Sequence, residues 1–201
     1  SKIAFQLGLQ AGLRESECFA LTWSDIDFEK KKIKVCKQLL YQDKQWCFAP
    51  LKTINSYRSV NITAEFAQYL ADMKMQYDAE RKLYGDGYKR NFVTDRREPK
   101  KEKVIEVPDF INVKANGEML TTNGAKFLAR IIKKDLGIHF KFHNLRHTYA
   151  TVLAENGLNP RYVQEMLGHS KLEFTLRYYT HITEKMSDAA ENALTAAFRF
   201  D

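Results

Sequence analysis

Apolar positions along this chain recur first at a helical period, then at a period of two, then at a helical period again. Ile3 to Leu9 opens as a helix, Gly12 breaks it, and Glu15 to Trp23 forms a second helix that offers Cys18, Ala20 and Leu21 to a core. A turn at Ser24 to Asp27 follows. Alternating residues then predict three strands, Lys32 to Leu40, Gln45 to Ala49 and Arg58 to Ile62. Asp43 and Lys44 form the tip of the first hairpin, and Lys52 to Tyr57 connects the second strand to the third. Thr63 caps a helix over Ala64 to Leu83, with Phe66, Leu70, Met73 and Tyr77 along one face. Gly85 to Pro108 is rich in Lys, Arg and Asp and is interrupted by Pro99 and Pro108, so it reads as a long basic loop or an insertion. Phe110 to Val113 is a short strand before an Asn116-Gly117 turn. Helices are expected over Thr122 to Lys134, His143 to Glu155, Pro160 to Leu167 (with Asn159 as its cap) and Phe174 to Tyr179. A last helix, about 184–198, ends in a tail bearing Phe198 and Phe200.

Composition narrows the class. With 201 residues, 44% of them hydrophobic, the chain can bury one sizeable core and is not expected to be disordered. It contains no run of eighteen apolar residues and no signal-peptide pattern, so a cytoplasmic protein with no membrane segment is expected. The net charge of +7 favours a polyanionic partner, because lysine and arginine displace the counterions condensed on nucleic acid. Cys18, Cys36 and Cys47 are odd in number and lack C-x-x-C spacing, which argues against a disulfide framework and against a zinc site. The chain starts directly on helical sequence without a cap or leader, as a fragment lacking its N-terminal part would.

The chemistry is dispersed. Arg14 lies in GLRESE just after the glycine break, where a guanidinium can present two parallel donors to a phosphate. Glu17, one turn on, can orient it; a surface Arg–Glu pair is the ordinary alternative. Lys52 heads KTINSYR in a connection between strands, placed either to donate a proton or simply to be solvated. In HNLRHT, His143 and Arg146 are three apart on one helical face and can meet one phosphate. His147 is four residues from His143, but a metal site there lacks the intervening Glu and a third ligand. His169 follows a helix end in LGHS, a frequent capping position. Tyr178 and Tyr179 are adjacent, and as consecutive helical residues they point about 100° apart, so both cannot face the same phosphate.

In this order these boxes resemble the catalytic domain of the tyrosine recombinase (phage integrase) family. G-L-R-x-S-E resembles its first arginine box, K-T-x-x-S-x-R its mobile β-hairpin, H-x-L-R-H-T its second arginine box, and Thr175, Leu176, Tyr179, Thr180 and His181 its terminal T-L-x-x-Y-[ST]-H. The resemblance runs from about Gly12 to His181. It implies an α+β, mainly α-helical catalytic domain over 1–201 with a small antiparallel three-stranded sheet at one edge. It also implies that the N-terminal DNA-binding part of family members lies outside this chain.

The same resemblance implies site-specific cutting and rejoining of double-stranded DNA. Tyr179 is then the nucleophile that forms a 3′-phosphotyrosyl link, and Arg14 and Arg146 stabilise the transition state. Lys52 protonates the leaving 5′ oxygen, His143 acts as base and His169 assists, with Glu17 and a buried His147 in support. Neither metal nor other cofactor is called for. A bacterial homotetramer assembled on DNA is implied, with residues 184–201 docking on a neighbouring subunit and an accessory directionality factor as a further partner. The motif flavour is that of integrases from phages and conjugative transposons. Two rival readings are a type IB topoisomerase, which shares the chemistry, and a non-catalytic helix-turn-helix regulator built on Ala150 to Leu167.

Overall fold

The computed structural model describes residues 2–180 and positions 194, 195 and 197. The helix expected over 184–198, its aromatic tail and His181 therefore lie, apart from those three positions, outside the described residues.

Two short helices open the chain, α1 (Lys2–Ala11) and α2 (Glu15–Ala20). Ile3, Ala4, Leu7, Gly8 and Ala11 form the buried stripe of α1, spaced three and four apart. This stripe packs on α5 (His143–Glu155), and the rings of Phe5 and Phe142 lie 5.5 Å apart at that junction. Gly12 makes the turn into α2 at φ +62°, and a Cβ there would lie 2.4 Å from the Tyr149 ring of α5. That position needs glycine both for its backbone angle and for the close approach.

The strands form two sheets. β1 (Ile26–Asp27), β2 (Lys32–Val35) and β5 (Arg58–Asn61) make an antiparallel sheet in the order β1-β2-β5. β3 (Gln38–Gln42) and β4 (Gln45–Ala49) form a hairpin that continues into β6 (Phe92–Asp95) and β7 (Lys103–Glu106). Two expectations change here. The strand expected over 32–40 is interrupted at Cys36 and Lys37, and its halves pair in different sheets. Lys37 is the cause: the residue is 6% exposed and its side chain turns inward, donating to Thr22 Oγ1 at 3.2 Å and closely to the Asp25 carboxylate. A buried ammonium needs such partners, and satisfying them takes the chain from one sheet to the other. The stretch 85–108, expected as a long basic loop or an insertion, supplies β6 and β7, with β6 joining β4 in parallel at Cys47↔Thr94. Phe110 and Val113 form only isolated bridges, to Thr22 and Met119.

The long helix α3 (Ala64–Tyr84) starts where Thr63 Oγ1 accepts from Phe66 N–H at 3.1 Å, and it buries Phe66, Ala67 and Leu70 in its first two turns. α4 (Thr122–Leu136) follows after an irregular stretch, and of its residues Ala125 is buried. α6 (Pro160–Leu167) is capped by Asn159, whose Oδ1 accepts from Arg161 N–H at 2.9 Å, and it ends at Gly168 at φ +66°. α7 (Glu173–Leu176) is shorter than expected. Beyond it the bonds Tyr178 N–H to Thr175 O and Tyr179 N–H to Leu176 O each span three residues, so the chain tightens from α-helical to 3-10 winding.

Candidate active site

The C-terminal end of α6 organises the site. Three successive carbonyls there accept from three arginines that lie far apart in the sequence. Met166 O takes Arg58 Nε at 2.8 Å, Leu167 O takes Arg146 Nη2 closely, and Gly168 O takes Arg14 Nη2 at 3.0 Å. A helix leaves its last carbonyls unsatisfied and carries a partial negative charge at that end, so the cations meet both needs. Gly168 permits this because a Cβ would lie 2.9 Å from Asn55 O and 3.1 Å from Ser56 Cα.

Glu17 is the counterion of two of these arginines. Its carboxylate is 1% exposed, receives Arg58 Nη2 at 2.9 Å and Arg14 Nη1 at 2.7 Å, and also accepts from the Arg14 backbone N–H at 2.8 Å. Burial by itself would raise the Glu17 pKa; the Arg58 and Arg14 charges and hydrogen bonds outweigh it and bring the value down to about 2. Arg58, at the start of β5, is a member of this network with a buried side chain.

Arg146 has no such partner. It is 1% exposed, its Nη1 donates to Gly12 O at 2.7 Å and its Nη2 to Leu167 O, and its Nε is buried without a hydrogen bond. Among the described residues it forms no ion pair. Burial, with Arg14 and Arg58 nearby, lowers its pKa to about 9, so it remains charged at neutral pH. Three guanidiniums thus gather at one helix end where the single carboxylate, Glu17, pairs with only Arg14 and Arg58, and this excess of positive charge is an arrangement that attracts an anion.

A cavity of about 370 Å³ opens above this cluster, lined among others by Arg14, Ser16, Lys52, Gly168, His169 and Ser170. Lys52 is exposed on the rim. His169 Nδ1 lies 3.0 Å from Thr175 Oγ1, and burial followed by the Arg146, Arg14 and Arg58 charges lowers its pKa to about 4. The ring is therefore neutral at pH 7. His143 borders the adjoining cavity with Arg14, and its pKa is also lowered, by burial first and then by His147, Arg146 and Arg14.

Arg14, Lys52, His143, Arg146 and His169 are thus brought together. Tyr179 is not. Its hydroxyl donates closely to Leu158 O, in the connection that precedes α6, and burial raises its pKa. The eight residues of α6 span about 12 Å, which separates the tyrosine anchor at one end from the arginine cluster at the other. Tyr178 Oη lies 2.7 Å from His147 Nδ1, and the Arg146 charge lowers its pKa against the larger effect of burial. His147, expected to be buried, is exposed: its ring lies edge-on to His143 with centroids 4.5 Å apart, and Tyr178 rather than the core is its partner. Sequence reading did not anticipate the three α6 carbonyls. Their one local signal is the Leu167-Gly168-His169 helix stop.

The family model described as the phage integrase family matches residues 1–186. A tyrosine recombinase XerC-like protein of Caldanaerobacter subterraneus subsp. tengcongensis is 30% identical over 98% of this chain and 49% of its own length. The transposase of transposon Tn916 from Enterococcus faecalis is 30% identical over 87% of this chain and 40% of its own. The chain spans about half the length of the curated relatives it matches. Among solved structures, the Tn1549 transposon integrase in complex with transposon right end DNA superposes with a TM-score of 0.70 at 26% identity, covering 96% of this chain and 58% of that one. The match over nearly the full chain, together with the arginine and histidine boxes gathered at the end of α6, shows that this chain belongs to the phage integrase family.

Proposed function

We propose that this chain is the catalytic domain of a site-specific DNA recombinase that integrates or excises a mobile element. The observation that carries the reading is the excess of positive charge at the end of α6, three arginines of which Glu17 pairs with two and buried Arg146 has no carboxylate, beside a cavity rimmed by Lys52 and His169. A scissile phosphate seated there meets donors before charge develops on its oxygens, which is the preorganisation that lowers a transition state.

In the proposed reaction Tyr179 Oη attacks the phosphorus, and the phosphate–5′ oxygen bond breaks as a 3′-phosphotyrosyl bond forms. Arg14 and Arg146 hold the non-bridging oxygens, Arg146 by exchanging its carbonyl bonds for phosphate. Lys52 gives its proton to the departing 5′ oxygen, His143 takes the tyrosine proton and neutral His169 donates a hydrogen bond. The intermediate conserves the phosphodiester energy, so a 5′-hydroxyl from another strand can reverse the step without ATP. Tyr179 must first leave Leu158 O and cross the length of α6, so the described arrangement is a resting one. Double-stranded DNA as substrate, a homotetramer assembled through residues 184–201 and an accessory directionality factor belong to the same proposal. A second reading, with Tyr178 as nucleophile, is favoured by its contact with His147 and its response to Arg146.

The test uses nicked duplexes that carry candidate crossover sequences from the DNA flanking the coding region of this chain, with wild type, Tyr179→Phe and Tyr178→Phe compared on a denaturing gel in the presence of chelator. A covalent adduct lost only in Tyr179→Phe is expected. Loss only in Tyr178→Phe reassigns the nucleophile, and DNA binding without any adduct from wild type favours the regulator.

A further inference from the structure

The cavity beside the arginine cluster has chemistry that phosphate cleavage does not use. It encloses about 550 Å³ and shares Arg14 with the cavity that Lys52 lines, so the guanidinium stands on the ridge between the two. His143 and Lys126 supply further positive or donor groups on its wall, and Glu15 offsets part of that charge. The lining also includes two aromatic rings. Tyr41 and Trp46 face each other across the β3–β4 hairpin, their ring centroids 5.1 Å apart and tilted by 55°. Tyr41 is 59% exposed although it borders a cavity, and Trp46 is half-buried beneath it.

Cross-strand aromatic pairs stabilise hairpins, and that alone accounts for Trp46. It does not account for an exposed tyrosine ring that lines the same cavity as Arg14 and Lys126. Rings at such a place, next to a phosphate-binding arginine, are what single-stranded nucleic acid uses for stacking, because every base has a π-face while the phosphates meet the cations.

We propose that this second cavity holds one unpaired nucleotide adjoining the phosphate seated at Arg14, its base stacked on Tyr41 and Trp46. The proposal rests on the DNA-cleaving reading of the first cavity and adds to it a requirement for local strand opening. Duplex DNA presents no free base face, so the site favours a nucleotide released from its partner strand.

The test compares a short oligothymidylate with an oligomer of the same length built of abasic units, which keeps the phosphates and removes the bases. Binding is followed by fluorescence anisotropy at low salt and by tryptophan emission. The chain contains two tryptophans, and subtracting the Trp46→Phe titration from wild type isolates Trp46 from the buried Trp23. Oligothymidylate is expected to quench Trp46 and to bind about tenfold more weakly to Tyr41→Ala, whose exposed ring can be removed without opening the core. The abasic oligomer is expected to bind wild type and Tyr41→Ala alike. Equal binding of both oligomers by wild type with Trp46 emission unmoved would overturn the stacking site while leaving the phosphate site standing. No binding of either oligomer would overturn the phosphate site, and the stacking site with it.

Discussion

Glu17 offers the sharpest quantitative test of the arginine network. In Glu17→Gln the side chain keeps its size and one carbonyl oxygen, but Arg14 and Arg58 lose their shared negative charge and three guanidiniums face one another. The fall of the Glu17 pKa from 4.5 to about 2 corresponds to about 3 kcal/mol, taking 1.36 kcal/mol for each pH unit. The general loss on breaking a buried ion pair, about 3–5 kcal/mol, agrees with it. Because the folded-state value lies below the unfolded one, this stabilisation is complete above about pH 5 and disappears as the pH falls toward 2; at pH 3 about 40% of it remains. Urea unfolding of wild type and Glu17→Gln from pH 7 down to pH 3 should therefore give a gap of about 3 kcal/mol at neutral pH, a melting shift of about 6–12 °C in a chain of this size, that narrows on acidification. Carboxylates elsewhere titrate in both proteins and cancel in the difference. A gap below about 0.5 kcal/mol at pH 7, or one unchanged down to pH 3, would refute the claim that Glu17 is held ionised by Arg58 and Arg14.

Gly168→Ala is expected to destabilise the fold by about 1–3 kcal/mol, because φ is +66° and the added Cβ would meet Asn55 O at 2.9 Å. Gly157→Ala, at φ +73° with nothing within 4 Å, should lose less, and equal losses in thermal unfolding would show that the contact with Asn55 contributes nothing. His169 should titrate near pH 4 by NMR of its ring protons, below the unperturbed 6.5 because of burial and then the arginines, and a midpoint at or above 6.5 would contradict the charge environment drawn for the site.

The helices were legible wherever local chemistry marks their ends. Asn159 and Pro160 start α6 and Gly168 stops it, and α5 runs over the expected His143 to Glu155. Arg14, Lys52, His143, Arg146 and His169 were nameable from their motifs, and the fold gathers them. What escaped the sequence depends on partners remote along the chain. Lys37 reads as an ordinary strand lysine until Asp25 is known to lie beneath it, and only then does the split between β2 and β3 make sense. β6 and β7 are four residues each, so their alternation is too short to detect, and the pairing of β6 with β4 is non-local. The position of Tyr179 against Leu158 depends on how the turn after α7 tightens, which no spacing in TLRYY encodes. His147 was expected to be buried and is exposed, because its partner Tyr178 comes from that same turn.

The use of both ends of α6 restricts how the chain can change in length. Leu158 and the Asn159 cap fix where the helix begins, and Met166, Leu167 and Gly168 fix where three arginines must meet it. Inserting or deleting one residue between them would shift the far end by about 1.5 Å and turn it by about 100°, carrying all three carbonyls away from their donors at once. No single compensating substitution can restore three separate guanidiniums. Length variation is therefore excluded from this helix and admitted in segments such as the connection between β6 and β7, where an added residue displaces nothing in the site.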